Sequence, residues 1–388
     1  MADYIGKRVA RWRDLAGMTQ AELAERVGRT QAWVSQVENG RQAVTKRDTL
    51  IRLANALRVD PQQLIAQPSV RTQDELTVRR SIPALRAALY GPDEPPEPRS
   101  AESVAEDVHR LMTARMACDY ATLAALGAPL VAETGALVDT GRDGQRAREL
   151  LTRTLFALSQ AIKPMGYVDL SLALAERARS IAAELDGAAE LAASRFALSQ
   201  AVLASGSRRR SLALATAAAS DVQASSAPGA LAWYGILHLQ AGLASASLGI
   251  SPDAHLAEAK DVAARRPDDP WLMEFTTANT ATWASAMALE TGEYDKVPSI
   301  TSGVDRGGLR TKQRRAHLLM NAGRAWFAVG DHQRAVRSIL EADEIAPAEV
   351  RSRPTIREIT GQMVRDTFRG SEVATLAARV GYDPLTAI

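Results

Sequence analysis

The sequence contains a single cysteine among its 388 residues, and the motifs of several enzyme classes are missing from it. Cys118 cannot form a disulfide within the chain, so we expect a reducing compartment. No Cys/His pattern of a zinc site, no HExxH, no P-loop and no GxGxxG is present. We therefore expect neither a cofactor nor an enzymatic activity.

Aromatic residues are scarce at 5%, and no uninterrupted apolar run reaches the length of about 18 residues that a membrane span needs. The N-terminal segment MADYIGKRVARWRD lacks the apolar stretch of a signal peptide, so we expect a cytoplasmic protein without a membrane partner. Alanine, leucine and arginine are abundant and favour helices. We predict an all-α protein with two or more domains.

The net charge of +2 hides an uneven distribution of charge along the chain. Residues 1–70 hold 11 Lys and Arg against 7 Asp and Glu, whereas the remaining residues hold 36 against 38. A basic N-terminal segment indicates a nucleic-acid contact at that end.

Residues 5–66 contain five short helical patterns with recognisable beginnings and ends. Thr19, followed three residues later by Glu22, has the spacing of a capping box. Gly28 suits a left-handed turn, and Thr30 suits the N-cap of the next helix. Two short helices joined by a glycine turn follow the helix-turn-helix plan.

These residues resemble the DNA-binding domain of the phage repressor and Cro family, also called the xenobiotic response element family. The resemblance is carried by Gln20, AELA at 21–24, Gly28, TQ at 30–31 and VENG at 37–40. It implies a five-helix λ-repressor-like domain at residues 1–70, with the helix after Thr30 in the major groove of a double-stranded DNA operator. The DNA-binding residues that it implies are Gln20, Thr30, Gln31, Trp33, Ser35, Gln36, Asn39, Arg41, Lys46 and Arg47.

The resemblance assigns different roles to these residues. Gln31 and Gln36 would face base edges, where a glutamine amide can pair with adenine through two hydrogen bonds. Gln20 would contact a phosphate, and Arg13 with Glu38 would form a buried ion pair. Trp33 could pack on a thymine methyl or sugar, or could lie against its own domain.

The basic residues after the recognition helix, Arg41, Lys46 and Arg47, would meet phosphates. Residues 71–100 follow as a predicted linker, with a helical pattern that we expect to break at Pro83. The segment GPDEPPEPRS at 91–100 has four prolines and predicts a stiff spacer, so we place the domain boundary there.

The remaining residues, 101–388, contain a repeated unit. FALSQA, a glycine and SLALA occur in the same order from Phe156 and from Phe196, an offset of 40 residues. The segment AHLLMNAGRAWFAVGDHQRAVRSILEADEIAP resembles the tetratricopeptide repeat, with Ala322, Gly323, Trp326 and Pro347 at the expected spacings. We predict a tetratricopeptide-like α-solenoid of about five or six helical hairpins that acts in sensing and dimerisation.

In the tetratricopeptide register, the first helix of each hairpin lines the concave side of the solenoid. The residues expected there are Arg153, Phe156, Gln160, Lys163, Phe196, Gln200, Leu239, Asn279, His317, Asn321, Arg324 and Phe327. Amides, positive charges and phenylalanines suit an extended peptide, which needs both polar partners and apolar pockets.

A repressor-type DNA-binding domain followed by helical repeats resembles the peptide-sensing quorum regulators. The resemblance implies a transcription regulator that binds its operator as a homodimer and responds to a peptide or small-molecule effector. A single domain of this kind buries little surface on DNA, which also favours a dimer. The alternative is a regulator or adaptor whose repeats bind another protein, and the sequence separates these two hypotheses poorly.

Overall fold

The computed structural model describes residues 4–65, 73–92, 94–141, 143–366 and 370–382. Within these ranges all regular structure is helical and no strand occurs, which confirms the all-α prediction. The predicted boundary between residues 70 and 71 lies outside the described residues.

The first five helices form a small domain, which we call the head (residues 4–65). Its helices are α1 (Ile5–Leu15), α2 (Gln20–Val27), α3 (Gln31–Glu38), α4 (Arg47–Leu57) and α5 (Pro61–Leu64). The predicted capping box is present, because the Thr19 hydroxyl accepts a hydrogen bond from the Glu22 amide at 3.2 Å and Glu22 accepts one from the Thr19 amide at 2.7 Å. Gly28 turns the chain between α2 and α3 with φ of +67°.

The helices α1 and α3 approach each other at a glycine. A Cβ atom added at Gly6 would lie 1.8 Å from the carbonyl oxygen of Val37, so no larger residue fits at that position. Val9, Leu23 and Val34 fill the core beneath this crossing and are buried. The close packing of α1 fixes the orientation of α3 relative to the rest of the head.

Helix α6 (Gln73–Tyr90) runs through Pro83 without a break, so the predicted interruption there is wrong. Its apolar side is buried against α8, with Ile82, Leu85 and Leu89 in the same hydrophobic core as the repeats. This burial offsets the backbone hydrogen bond that a proline cannot donate. The helix predicted to be part of the linker therefore packs on the repeat array.

We call residues 101–382 the solenoid. Its helices are α7 (Ala101–Ala117), α8 (Tyr120–Asp139), α9 (Gly144–Ile162), α10 (Val168–Ala182), α11 (Ala188–Ala204), α12 (Arg208–Gln223), α13 (Ala230–Ser247), α14 (Asp253–Ala264), α15 (Thr277–Thr291), α16 (Lys296–Ser302), α17 (Lys312–Ala328), α18 (His332–Ile345), α19 (Pro347–Arg351), α20 (Pro354–Arg365) and α21 (Ser371–Val380), with short 3-10 turns at Lys163–Met165 and Arg306–Gly308.

The solenoid is built from consecutive hairpins. Helices α9 and α10 pack together, as do α11 and α12, α13 and α14, α15 and α16, and α17 and α18. The first helices of these hairpins also pack on one another in chain order, from α9 to α17. They therefore form the inner layer of a helical solenoid, as the repeat pattern predicts.

The duplicated sequence corresponds to a duplicated contact between the two helices of a hairpin. Ser171 donates a hydrogen bond to the carbonyl oxygen of Ser159 at 2.8 Å, and Ser199, 40 residues after Ser159, donates one to that of Ser211 at 2.9 Å. All four serines are fully buried. The recurring serines of FALSQA and SLALA thus join the two helices of each unit.

One described helix, α8, is long and apolar enough to pass a length and hydropathy test for a membrane span. It packs against α6, α7 and α9, and Leu130, Val131 and Leu137 belong to the main hydrophobic core. Glu133 of the same helix pairs with Arg99 at 2.7 Å. The apolar composition of α8 therefore accounts for its place in the core of the solenoid.

We predict that Gly323→Ala destabilises the protein, because the added Cβ would lie 2.7 Å from Cγ1 of Ile339 where α17 crosses α18. Overpacking of this kind costs about 1–3 kcal/mol, which exceeds the gain of up to about 1 kcal/mol in helix propensity. The thermal unfolding midpoint of the variant should fall by several degrees. Gly144→Ala, at the start of α9 with open space around it, is the control and should leave the midpoint unchanged or higher.

Candidate functional site

Helix α3 is held in place by a buried carboxylate at its last residue. Arg13 Nε lies 2.6 Å from Glu38 Oε1, and the Gln20 amide nitrogen donates to Glu38 Oε2 at 2.8 Å. The hydrogen bond that Arg13 donates to Glu38 raises the pKa of Arg13. This three-residue cluster, from α1, α2 and α3, fixes the orientation of α3 relative to α1 and α2.

The two glutamines predicted to read bases are both exposed on α3. Gln31 begins the helix and Gln36 lies in its second turn, and neither side chain belongs to the head core. Asn39 donates from its amide to the carbonyl oxygen of Ser35 at 2.9 Å, and Thr30 accepts from the Trp33 amide at 3.2 Å. The exposed glutamines therefore project from a helix whose two ends are capped.

Two other residues predicted to contact DNA have partners within the head. Trp33 is half-buried against the head core, and the Arg29 guanidinium lies 5.4 Å from the centre of its ring. The Gln20 amide nitrogen, predicted to contact a phosphate, donates to Glu38 at 2.8 Å. The DNA contacts expected of Trp33 and Gln20 stay predictions.

A cavity of about 380 Å³ lies between the head and the inner layer of the solenoid, and we call it the junction pocket. Its apolar lining includes Phe196, Leu203 and Trp283 from the solenoid and Ile51 from the head. Amides and positive charges line it as well. The lysines and arginines, which we call the pocket cations, are Lys46, Arg47, Arg115, Lys163, Arg314, Arg324 and Arg353.

Seven of the twelve residues predicted on the concave side line the junction pocket. They are Gln160, Lys163, Phe196, Gln200, His317, Asn321 and Arg324, from α9, the following 3-10 turn, α11 and α17. Lys163 donates to Gln160 at 3.3 Å and also to Gln200, and Asn321 donates to Ser285 at 2.9 Å. The structure thus brings together the predicted residues of the first, second and last hairpins.

The other five predicted residues do not line the pocket. Phe156 and Leu239 are fully buried, so the prediction that they face the concave surface is wrong. Phe156 packs edge-on against Trp271 at 5.3 Å, inside an aromatic cluster that fills the space between hairpins. Leu239 is also turned inward, and its neighbour Gln240 lines the pocket, so α13 is rotated by one residue from the register we used.

Arg153, Asn279 and Phe327 are engaged in contacts elsewhere. The Arg153 guanidinium lies 4.4 Å from the centre of the Trp271 ring. Asn279 is buried, and its amide donates to the carbonyl oxygen of Glu274 at 2.9 Å. Phe327 stacks on His332 with 5.4 Å between ring centres. These three side chains are thus engaged in contacts within the protein and do not line the pocket.

The pocket cations lie close enough to affect one another. Burial, and then the charges of Arg47 and Arg353, hold the pKa of Lys163 well below its usual value. Burial, and then the nearby charge of Arg314, lower the pKa of Arg115 to about 9, so this group stays charged at neutral pH. Like charges thus face one another in a largely desolvated space.

One carboxylate partly compensates these charges behind the pocket wall. Glu349 is fully buried, pairs with Arg353, and accepts from the Tyr120 hydroxyl at 2.7 Å. His317 Nε2 lies 2.7 Å from the other oxygen of Glu349. Burial opposes ionisation of Glu349, but Arg353 and these hydrogen bonds hold its pKa well below the usual value. Arg353 is therefore neutralised by its ion pair with Glu349. Among the described residues, Arg314 has no such ion pair, so its charge is less compensated.

Comparison with protein families gives a match for the head. Residues 5–66 match the family model described as a helix-turn-helix domain. The head is a helix-turn-helix domain. Comparison with curated proteins gives no match.

Two solved structures are similar to this chain, with low identity. PlcR from Bacillus thuringiensis, in complex with the peptide PapR7 and DNA, is 16% identical, and the match covers 68% of this chain and 96% of PlcR with a TM-score of 0.32. ComR from Streptococcus suis is 13% identical, and the match covers 94% of this chain and 96% of ComR with a TM-score of 0.28. The helix-turn-helix match indicates that the head is a DNA-binding domain.

The helix-turn-helix head is docked on the solenoid through the loop that follows α3. The Ala43 amide donates to the Gln362 side chain at 2.5 Å, and Gln362 donates to the carbonyl oxygen of Arg41 at 3.0 Å. Arg365 donates to the carbonyl oxygen of Gly40 at 2.8 Å. Helix α20 therefore holds the loop by its backbone.

A second set of contacts joins the helix-turn-helix head to the inner layer. Asp48 of α4 pairs with Arg208, and Arg324 donates to the carbonyl oxygen of Thr45 at 3.3 Å. Lys46 lies 5.2 Å from the centre of the Tyr294 ring. Of the basic residues predicted to meet phosphates, Arg41 is exposed, whereas Lys46 and Arg47 face the solenoid because the docked loop turns them toward the pocket.

The sequence reasoning missed several pocket residues, including Arg115, Gln240, Arg314 and Arg353. Arg314 could have been found, because it precedes His317 by three residues and shares its helix face with the predicted residues of α17. Arg353 comes from the end of the chain folding back over α17, and no repeat register predicts that position.

We predict that Gln362→Ala loosens the docked loop without affecting α3. Removing the acceptor of the Ala43 amide, and the donor to Arg41, should speed hydrogen exchange at residues 40–45 by about fivefold or more, since each net hydrogen bond is worth about 1 kcal/mol. Exchange within α2 and α3 should not change. Gln223→Ala, an exposed glutamine on α12, is the control. Unchanged exchange in the loop would show that these hydrogen bonds do not hold the head.

Proposed function

We propose that this protein is a sequence-specific DNA-binding transcription regulator whose solenoid binds a peptide or small-molecule effector. The observation that carries the proposal is the arrangement of α3. Its exposed Gln31 and Gln36 project from a helix that is fixed at its base by Arg13, Gln20 and Glu38. A rigid helix with exposed amides suits the reading of base edges in a major groove.

The docked head leaves this surface accessible. The contacts with the solenoid use the start of α1, the loop after α3 and the helix α4, while Gln31, Gln36 and Arg41 stay exposed. The head can therefore meet DNA while it rests on the solenoid. We infer that the solenoid sets the position of the head, and so governs whether two heads fit two half-sites of an operator.

A homodimer is part of the proposal on physical grounds. One helix-turn-helix domain buries little surface on DNA, and two heads spaced by about one helical turn supply the missing contacts. The covered position of the junction pocket favours a small effector over a protein partner. A protein partner would need an open concave face on which to bind, whereas the head covers the space between α9 and α17.

The base-reading role of α3 can be tested with duplexes selected from a random library by the purified full chain at about 150 mM salt. We predict that Gln31→Ala and Gln36→Ala each reduce the preference for the selected duplex over a scrambled one by about 1–3 kcal/mol, because each removes a hydrogen-bonded base contact. Gln145→Ala, an exposed glutamine on α9, is the matched control. Full discrimination by both α3 variants would contradict the assignment of the recognition helix.

A further inference from the structure

The charge of the junction pocket identifies the chemistry of what it can hold. Among the charged residues lining it, the seven pocket cations face one carboxylate, Glu290. Glu349 lies behind the wall and is paired with Arg353. The other six cations come from both sides of the junction. Lys46 and Arg47 belong to the head, and the solenoid contributes Arg115, Lys163, Arg314 and Arg324.

Several of these side chains have donors without partners. Arg314 and Arg115 are only 8% and 4% exposed, and the Nε atom of each has no hydrogen-bond partner within the described part of the chain. The same holds for the Nε atoms of Arg324 and Arg353 among the described residues. A buried guanidinium with unused donors is costly to fold, so a set of four around one cavity calls for an acceptor that fills it.

The volume and the apolar wall limit what that acceptor can be. The cavity of about 380 Å³ lies in the lower part of the range for small-molecule pockets, about 300–1,000 Å³. Phe196 and Trp283 also line the cavity and offer apolar contacts. A compact organic molecule that carries acidic groups can contact both the cations and these apolar side chains, whereas an inorganic ion would leave the apolar side chains without a contact.

We propose that the junction pocket binds a small organic anion with two or more negative charges, which bridges the head cations Lys46 and Arg47 to Arg314 and Arg324 of the solenoid. This proposal rests on the effector-binding role given to the pocket above, and it adds the chemistry of the effector. The anion holds the head in its docked position. Without it, the like charges on the two sides of the junction repel one another and favour release of the head.

The proposal can be tested with citrate and inorganic pyrophosphate as probes, on the full chain without DNA and at constant ionic strength. The pocket cations should attract either compact polyanion, so millimolar amounts should raise the thermal unfolding midpoint by about 2 °C or more relative to chloride. Both probes should also slow hydrogen exchange in residues 40–48, which comprise the docked loop and the start of α4. A shift with citrate alone assigns carboxylate chemistry, a shift with pyrophosphate alone assigns phosphate chemistry, and a shift with both assigns oxyanions in general.

Variants distinguish a binding role of the cations from a structural one. Arg314→Met should melt at the same temperature as the wild type or higher, because it removes a buried charge with unused donors, and it should lose the polyanion shift. Lys163→Met is a second variant with the same expected loss of the shift. Arg210→Met, an exposed arginine on α12, is the control and should keep the shift.

Four results would overturn the proposal: no shift with either probe in the wild type, an equal loss of the shift in Arg210→Met, a full shift in both pocket variants, or a shift without slower exchange in the loop. Because the assay contains no DNA, its outcome is independent of the operator-binding test. Loss of DNA discrimination in the α3 variants alongside no polyanion shift would leave the regulator proposal standing and remove only the anionic effector.

Discussion

The structure depends on the way in which the loop after α3 is seated on the solenoid. Gln362 and Arg365 hold the backbone of this loop, and Asp48 pairs with Arg208 on the opposite side. The same contact closes the junction pocket, turns Lys46 and Arg47 inward, and leaves α3 facing outward. This loop therefore links the pocket to α3, and the start of α1 adds a further contact with α20, since the Ile5 amide donates to Glu358 at 3.3 Å.

The two ends of this link differ in rigidity. On the DNA side, Glu38 collects hydrogen bonds from two helices, and Gly6 lets α1 pack directly on the backbone of α3. The head is therefore tightly packed around α3. On the pocket side, Arg47 of the head lies near Lys163 and Arg324 of the solenoid, and the repulsion between these like charges acts against the docking contacts. A balance of this kind can be shifted by a ligand that binds one arrangement better than the other.

Much of the fold follows from local sequence signals. The capping box at Thr19, the glycine at 28 and the serines repeated every 40 residues each determine structure within a few turns of helix, and each is present as predicted. The orientation of side chains between hairpins could not be predicted in the same way. Phe156 and Leu239 were assigned to the surface because the register assumed identical hairpins, whereas a large aromatic cluster and a one-residue rotation of α13 turn them inward. The docking of the head depends on Gln362, more than 300 residues away in sequence, and no local pattern contains that information.

The most direct test of the central claim, that α3 of a docked head binds duplex DNA, is the salt dependence of duplex affinity for the intact chain. Kd for a selected duplex should be measured at several salt concentrations between about 50 and 200 mM. Contacts with several phosphates predict a loss of affinity of more than tenfold over this range, together with a preference for the selected duplex at each concentration. An intact chain that binds no duplex at any of these salt concentrations, or binds all duplexes equally and without salt dependence, would contradict the account.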